Sequence, residues 1–263
     1  MPEGDTLHRT AAGLAPHLVG RAVTAARVRA GGPQVQRIIG ATITTVEALG
    51  KNLVIRFDNG LELRTHLRMN GSWHRYRPGE PWRRPPARAR LVLEVPDAVA
   101  VCFDAPVVEL FETRAEAIHP TLSRLGPDLL APDWGPGMED EAVKRLRDPR
   151  RAQLTISTAL LDQTALAGIG NIWRNETLFH ERVDPRTRVG DLGDGAVRAL
   201  VTTARRLLRA SVDTTPGRAP MWVYGRAGRP CRRCGTLVRS VPQDAVIGRT
   251  TYWCPACQQE PRR

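Results

Sequence analysis

Pro2 followed by Glu3 is the first pair in this chain with chemistry to offer. If the initiator methionine is clipped, Pro2 carries a free secondary amine, and an α-amine titrates near about 7.7–8.0, so a neutral fraction exists at pH 7. Such an amine can attack a sugar aldehyde carbon. The resulting iminium acidifies the neighbouring hydrogen and permits β-elimination. Glu3 is placed to deliver or remove a proton. The plainer reading is a proline that only stiffens the terminus. Lys51, in Leu49-Gly50-Lys51-Asn52-Leu53 at the start of an expected strand, is the second candidate. Of 39 Lys+Arg only Lys51 and Lys144 are lysines, leaving 37 arginines. Unlike arginine, a desolvated lysine can titrate. Lys51 can therefore act as a proton donor or a phosphate clamp, or be a solvated turn residue.

Two further constellations lie downstream. Gly168-Ile169-Gly170-Asn171 opens an expected helix, where backbone N–H groups and the Asn171 amide can meet a phosphate. As a lone Gly-x-Gly it can equally be a turn. Cys231-x2-Cys234 and Cys254-x2-Cys257 are separated by 19 residues, the pattern of a four-thiolate tetrahedral zinc site. One zinc ion is expected there. Four thiolates leave no open position, so the metal is structural. Arg249 falls near the tip of the hairpin between the two pairs. Cys102, inside the apolar run Val99–Phe103, reads as buried filler.

The elements that must position these groups follow from periodicity. Leu7, Ala11, Leu14, Ala15 and Leu18 form one face of a first helix, capped by Asp5 or Thr6. Strand-like runs cover 22–28, 41–48, 52–57, 61–66, 90–95, 99–103 and 107–111, with Asn59-Gly60 as a hairpin turn. The Arg- and Pro-rich stretch 76–90 reads as an exposed connection. Beyond a Pro/Gly-rich boundary at 114–133 the period becomes helical, over 139–147, 152–162, 171–180 and 195–211. The expected organisation is α+β and multidomain: an antiparallel β-sandwich with flanking helices over 1–120, a helical domain over 121–221 and a zinc hairpin over 222–263. At 41 % apolar and 25 % charged residues the 263-residue chain is ordinary globular material, not a disordered one. No run approaches the roughly 18 apolar residues of a membrane span, and no signal-peptide core is present, so an intracellular protein is expected. A net charge of +12 predicts a polyanionic partner.

In order along the chain stand Pro-Glu-Gly at the terminus, Gly-Lys-Asn-Leu, Leu160-Leu161-Asp162-Gln163 leading to Gly-Ile-Gly-Asn-Ile-Trp-Arg-Asn-Glu, and Val223-Tyr224-Gly225-Arg226 before the paired cysteines. This succession resembles the formamidopyrimidine-DNA glycosylase / endonuclease VIII family, essentially end to end. The resemblance implies a base-excision-repair enzyme with a β-sandwich, a helix–two-turn–helix domain and a zinc finger, acting as a cytoplasmic, nucleoid-associated monomer on damaged DNA. Pro2 would be the nucleophile on C1′, Glu3 the general acid/base and Lys51 a lysine near the phosphate of the damage site. Gly168, Gly170, Asn171 and Arg249 would contact phosphates flanking the lesion. A flipped nucleotide leaves a vacancy, and Arg68, Met69 and Asn70 stand where the family places its void-filling residues.

Several departures qualify the resemblance. Purine-directed members carry Asp-Pro-Arg-Arg-Phe-Gly where this chain reads Asp104-Ala-Pro-Val-Val-Glu-Leu-Phe111, and a longer loop than Ser211–Trp222. Both departures point to the endonuclease VIII-like branch, which removes oxidised pyrimidines and cleaves abasic sites by β,δ-elimination. Asp5-Thr6 replaces the second Pro-Glu of the family, and Ser157 replaces a lysine. They leave open a non-catalytic damaged-DNA binder on the same scaffold. A purine-directed glycosylase and a zinc-ribbon RNA binder are the remaining alternatives.

Overall fold

Apolar residues at a period of two need a second surface to cover them, and residues 25–112 supply both surfaces. The computed structural model describes residues 2–214, 220–242 and 249–259. It divides into two units, Met1–Arg124 and Leu125–Arg263. The first holds strands β1 (Ala25–Val28), β2 (Ile43–Leu49), β3 (Asn52–Phe57), β4 (Leu61–His66), β5 (Ser72–Tyr76), β6 (Ala89–Val95), β7 (Ala98–Phe103) and β8 (Val107–Glu112). They form two antiparallel four-stranded sheets, in orders β1-β6-β7-β5 and β2-β3-β4-β8. Leu53, Ile55, Phe57, Leu61 and Leu63 of one sheet share a core with Leu91, Leu93, Val95, Ala98, Ala100 and Cys102 of the other. Helix α1 (Gly4–Leu18) adds Leu7, Ala11, Leu14 and Leu18 to that core. Each such leucine contributes about 1.5–3 kcal/mol when fully buried.

Helix α1 starts at Gly4, not after a cap at Asp5 or Thr6: Glu3 is the N-cap, its carbonyl accepting from the N–H groups of Thr6 (3.0 Å) and Leu7 (3.1 Å). Asp5 turns instead to Arg9, one helical turn on (3.1 Å). An eighth strand, β5, went unread because Ser72-Trp-His-Arg-Tyr has no aliphatic alternation. Trp73 faces the sandwich core while Tyr76 joins Val92, Val99, Val101 and Phe103 on the outer face of the sheet. Finally, the connection 76–90 is only partly exposed. Tyr76 is fully buried, and Trp82 folds back over Tyr76 and Phe103 with ring centroids 6.2 and 5.8 Å away.

The second unit contains α2 (Pro136–Leu146), α3 (Ile156–Ala159), α4 (Asn171–His180), α5 (Asp194–Asp213) and a two-stranded hairpin, β9 (Arg239–Pro242) with β10 (Thr250–Trp253). The helix expected over 152–162 is reduced to the single turn of α3. Thr155 caps it from within, its Oγ1 accepting from the Thr158 N–H (3.2 Å), and at the far end Asp162 folds into an Asx turn with Thr164. Side-chain oxygens that bond nearby backbone compete with helix continuation. The helical core comprises Leu146, Ile156, Leu160, Leu166, Ile169, Leu178, Leu200 and Leu208 among others.

Helix α4 ties the cysteine-bearing segment to this core. Glu176, 2 % exposed, accepts from three successive backbone N–H groups, of Trp222 (2.8 Å), Val223 (3.0 Å) and Tyr224 (2.9 Å). Asn175 accepts from the Tyr252 N–H (2.8 Å). Glu176→Ala leaves three donors unpaired, with a cost on the order of 3 kcal/mol or more. The thermal midpoint of the variant should fall by several degrees and the C-terminal segment should become protease-sensitive before the helical core. An unchanged midpoint would show the three bonds to be dispensable.

Candidate functional site

In the first unit, the terminus is held by the start of α1. Pro2 is partly exposed, Glu3 is 1 % exposed, and the chain between them is extended. The Glu3 side chain makes no capping bond to the helix. Met1 lies outside the described residues.

Lys51 sits at the tip of a two-residue hairpin turn between β2 and β3, immediately before the first residue of β3. Gly50 has φ +58°, a left-handed conformation that such a tight turn requires and glycine adopts without strain. Asn52 clamps the turn by donating to the Leu49 carbonyl (2.9 Å) and accepts from Arg64 Nε (2.9 Å). Arg64, nearly buried, also pairs with Glu109, which His119 Nε2 meets at 3.2 Å. His66 ends β4 beside this group. Burial first, then the positive charges of Arg64, Lys51 and Arg68, push its pKa down to about 4. It is a neutral imidazole at neutral pH, with Nδ1 accepting from the Arg68 N–H (3.2 Å).

The β4–β5 turn carries Arg68, Met69 and Asn70. Leu67 is buried beneath it, and Gly71 closes it by donating to the Leu67 carbonyl (2.9 Å). A Cβ at Gly71 would stand 2.6 Å from that same oxygen, so only glycine fits. Arg68 is left-handed, φ +47°. The result is that Met69 stands 63 % exposed. Arg84 donates to the Asn70 carbonyl (3.3 Å) and to Asp104 Oδ2 (2.8 Å), linking the turn to the β7–β8 connection. The stretch 104–111 is accordingly no inserted loop: Val107–Glu112 is strand β8, paired with β4.

In the second unit, Gln163 pins the double-glycine turn. Its Oε1 accepts from the Gly168 N–H (3.1 Å), and its Nε2 donates to the carbonyls of Leu161 (3.1 Å) and Ile169 (3.0 Å). Gly168 has φ +93°, and Gly170 is the N-cap of α4. Asn171, largely buried, donates through Nδ2 to the Thr250 carbonyl (3.2 Å) and accepts from Arg174 (2.6 Å). The residue after Arg249 therefore touches Asn171, which brings the double-glycine turn and the start of β10 together. Gly248 and the rest of the expected hairpin tip, 243–248, lie outside the described residues, as do 215–219 of the loop after α5. Ser157 is 2 % exposed, and its Oγ has no hydrogen-bond partner among the described residues.

The four Sγ atoms of Cys231, Cys234, Cys254 and Cys257 all lie within 4.8 Å of one another. Tetrahedral ligands at about 2.3 Å from zinc are about 3.8 Å apart, so the donor set and its spacing fit that ion. Sequence reasoning missed the residues that do the holding: Asn52, Arg64, His66, Arg84, Asp104 and Arg174. The polar residues at 171, 174 and 175 are neighbours on one helical face, a readable signal. Asn52, Arg64 and His66 are joined only by strand pairing, and Arg84 and Asp104 only by the meeting of two sheet connections.

Residues 1–106 match the family model described as formamidopyrimidine-DNA glycosylase N-terminal domain, and residues 125–219 match the formamidopyrimidine-DNA glycosylase H2TH domain. A "probable endonuclease 8 2" of Streptomyces coelicolor is 41 % identical over 270 residues, covering 99 % of this chain and 95 % of the relative. The "DNA-(apurinic or apyrimidinic site) lyase Nei2" of Mycolicibacterium smegmatis is 38 % identical, covering 98 % and 99 %. Among solved structures, a complex between the Lactococcus lactis Fpg and DNA containing an abasic site has a TM-score of 0.83 at 23 % identity, covering 98 % and 100 %. At that identity the match shows the fold.

The depressed pKa of His66 has a consequence for stability. Between its ordinary value of 6.5 and about 4, the unfolded chain binds a proton at this position that the folded chain refuses. Stability therefore falls as pH drops through that window, by an amount on the order of 2–3 kcal/mol for this residue. In His66→Gln the loss of urea resistance on moving from about pH 7 to about pH 4 should be smaller than in the wild type. Equal losses would show that His66 protonates freely in the folded state.

Proposed function

Because the chain belongs to the formamidopyrimidine-DNA glycosylase / endonuclease VIII family, we propose that it is a bifunctional DNA glycosylase/AP lyase that takes oxidised pyrimidines and abasic sites through an iminium on Pro2. The observation that carries this reading is the terminus itself: an imino acid directly ahead of a helix, followed by a buried carboxylate at the helix N-cap position. In this reading the Pro2 nitrogen attacks C1′ and the base departs with a proton from an acid. Glu3 serves as that acid and as the base for later transfers. The iminium acidifies the C2′ hydrogens, and β- then δ-elimination breaks the strand on both sides of the sugar. Lys51, on its hairpin tip, attends the phosphate at the damage site.

Extrusion of the nucleotide costs a few kcal/mol, least for a damaged base. Met69 supports the reading of a wedge that fills the vacancy, since the turn holds an apolar side chain in solvent instead of burying it. The preference for pyrimidines rests on the absence of an Asp-Pro-Arg-Arg-Phe-Gly stretch at 104–111 and on the short segment 211–222. Gly168, Gly170, Asn171 and Arg249 take flanking phosphates. One zinc ion on the four cysteines supplies folding energy to the hairpin and no chemistry.

Incubation with borohydride and duplex DNA carrying an abasic site or thymine glycol should trap a covalent adduct. Pro2→Gly should reduce trapping strongly, and protein retaining Met1 should give none. Trapping with Met1 intact would overturn the nucleophile. In Cys234→Ser, metal analysis should find the bound zinc lost along with the order of the hairpin. Full zinc content would overturn the ligand set.

A further inference from the structure

Four chain segments of the first unit meet around a cavity of about 510 Å³ lined by Arg29, Asn70, Arg88, Arg90, Asp104, Ala105 and Pro106. Three guanidinium groups and one carboxylate face it. The carboxylate is already spent: Asp104 receives Arg88 through Nε on Oδ1 (2.9 Å) and NH2 on Oδ2 (2.8 Å), and Arg84 on Oδ2 (2.8 Å). These arginines hold its pKa below the ordinary carboxylate range. Asp104 thus organises arginines and leaves no carboxylate for the other two. Its left-handed backbone, φ +53°, is retained although aspartate gains nothing locally from it, and its own N–H donates to the Arg88 carbonyl (3.0 Å).

Arg29 and Arg90 are joined by a backbone bond, the Arg29 N–H donating to the Arg90 carbonyl (3.0 Å). Neither has an ion-pair partner among the described residues, and Arg90 Nε is shielded from solvent with no acceptor. A shielded guanidinium N–H without an acceptor is unfavourable unless a ligand supplies one. A second cavity of similar size is built differently: it presents Arg27 and Arg77 against Glu80 and Glu94, a balanced set with no call for an anion. The Arg29–Arg90 cavity also abuts Asn70, next to the exposed Met69.

We propose that this cavity is a subsite for one backbone phosphodiester of the DNA, held between Arg29 and Arg90 beside the Met69 wedge. The proposal rests on the reading of the chain as a damaged-DNA enzyme. The subsite anchors the duplex at the turn that must enter it, so that the wedge is driven in against a fixed backbone.

The test uses the whole protein and duplex DNA containing a tetrahydrofuran abasic-site analogue. In Arg29→Gln/Arg90→Gln, the slope of log affinity against log salt should shrink by about 0.9, and affinity near 0.15 M salt should fall about fivefold, the amounts for one phosphate contact on duplex DNA. Arg90→Lys in an otherwise wild-type chain should keep the slope. A scan of neutral methylphosphonates along both strands should find one position near the lesion that weakens the wild type and leaves the double variant indifferent. An unchanged slope, or equal sensitivity of both proteins at every position, overturns the subsite. So does inorganic phosphate binding that the double variant loses without any change in DNA affinity. Borohydride trapping by the wild type on a true abasic site is read alongside. Trapping with an unchanged slope removes the subsite alone, whereas a reduced slope without trapping removes the catalytic reading and keeps the subsite.

Discussion

Taking Arg174 out of water is costly, and the seam between α4 and the hairpin supplies acceptors that offset part of that cost. A guanidinium with no solvent exposure needs acceptors at fixed places. Arg174 finds Asn171 Oδ1, the Thr250 carbonyl (3.3 Å) and Thr251 Oγ1 (3.1 Å). Two of these belong to the strand after Arg249, so the hairpin has to lie against α4 for the arginine to be buried at all. Asn175 and Glu176 extend the same seam to Tyr252 and to residues 222–224. A helix face that looks polar in sequence is thus an interior surface, and it welds the cysteine-bearing segment to the helical core.

The first unit solves a different problem, that of holding turn-borne groups still. Lys51 and Met69 both project from two tight turns, and each turn is made rigid by a conformation few residues tolerate: Gly50 at φ +58°, Arg68 at φ +47°, Gly71 against the Leu67 carbonyl. Side chains beneath the turns lock them, Asn52 under one and Arg84 with Asp104 beside the other. An apolar side chain presented to solvent is unfavourable before DNA arrives, and rigid turns keep that cost from being relieved by collapse onto the surface. His66, kept neutral between three cations, lets positive charge accumulate next to it without adding another.

Much of the fold was legible along the chain. Period-two runs located seven of the eight sandwich strands, because each buries one face on a common core and aliphatic alternation reports that directly. β5 was not legible, since its two faces are covered by Trp73 on one side and by Tyr76 on the other and no aliphatic rhythm remains. The helix expected over 152–162 failed for a local reason, as Thr155 and Asp162 offer the backbone side-chain bonds that outcompete another helical turn. The four cysteines, by contrast, needed no tertiary information, because thiolate spacing of this kind has few other uses in a reduced protein.

What the linear chain determines by itself is which chemistries are on hand: an imino acid before a carboxylate, a lone strand-end lysine among arginines, a double-glycine turn opening a helix, and four thiolates in two pairs. Those are properties of residue type and short spacing, and no folding changes them. Only the tertiary structure decides which charges remain available. Asp104 lies far along the chain from Arg84 and Arg88 in pairing terms, yet two sheet connections bring them together and thereby leave Arg29 and Arg90 without a carboxylate. Ion pairing depends on distances of a few ångströms, set by strand register and turn geometry, and a one-dimensional order of residues does not contain them.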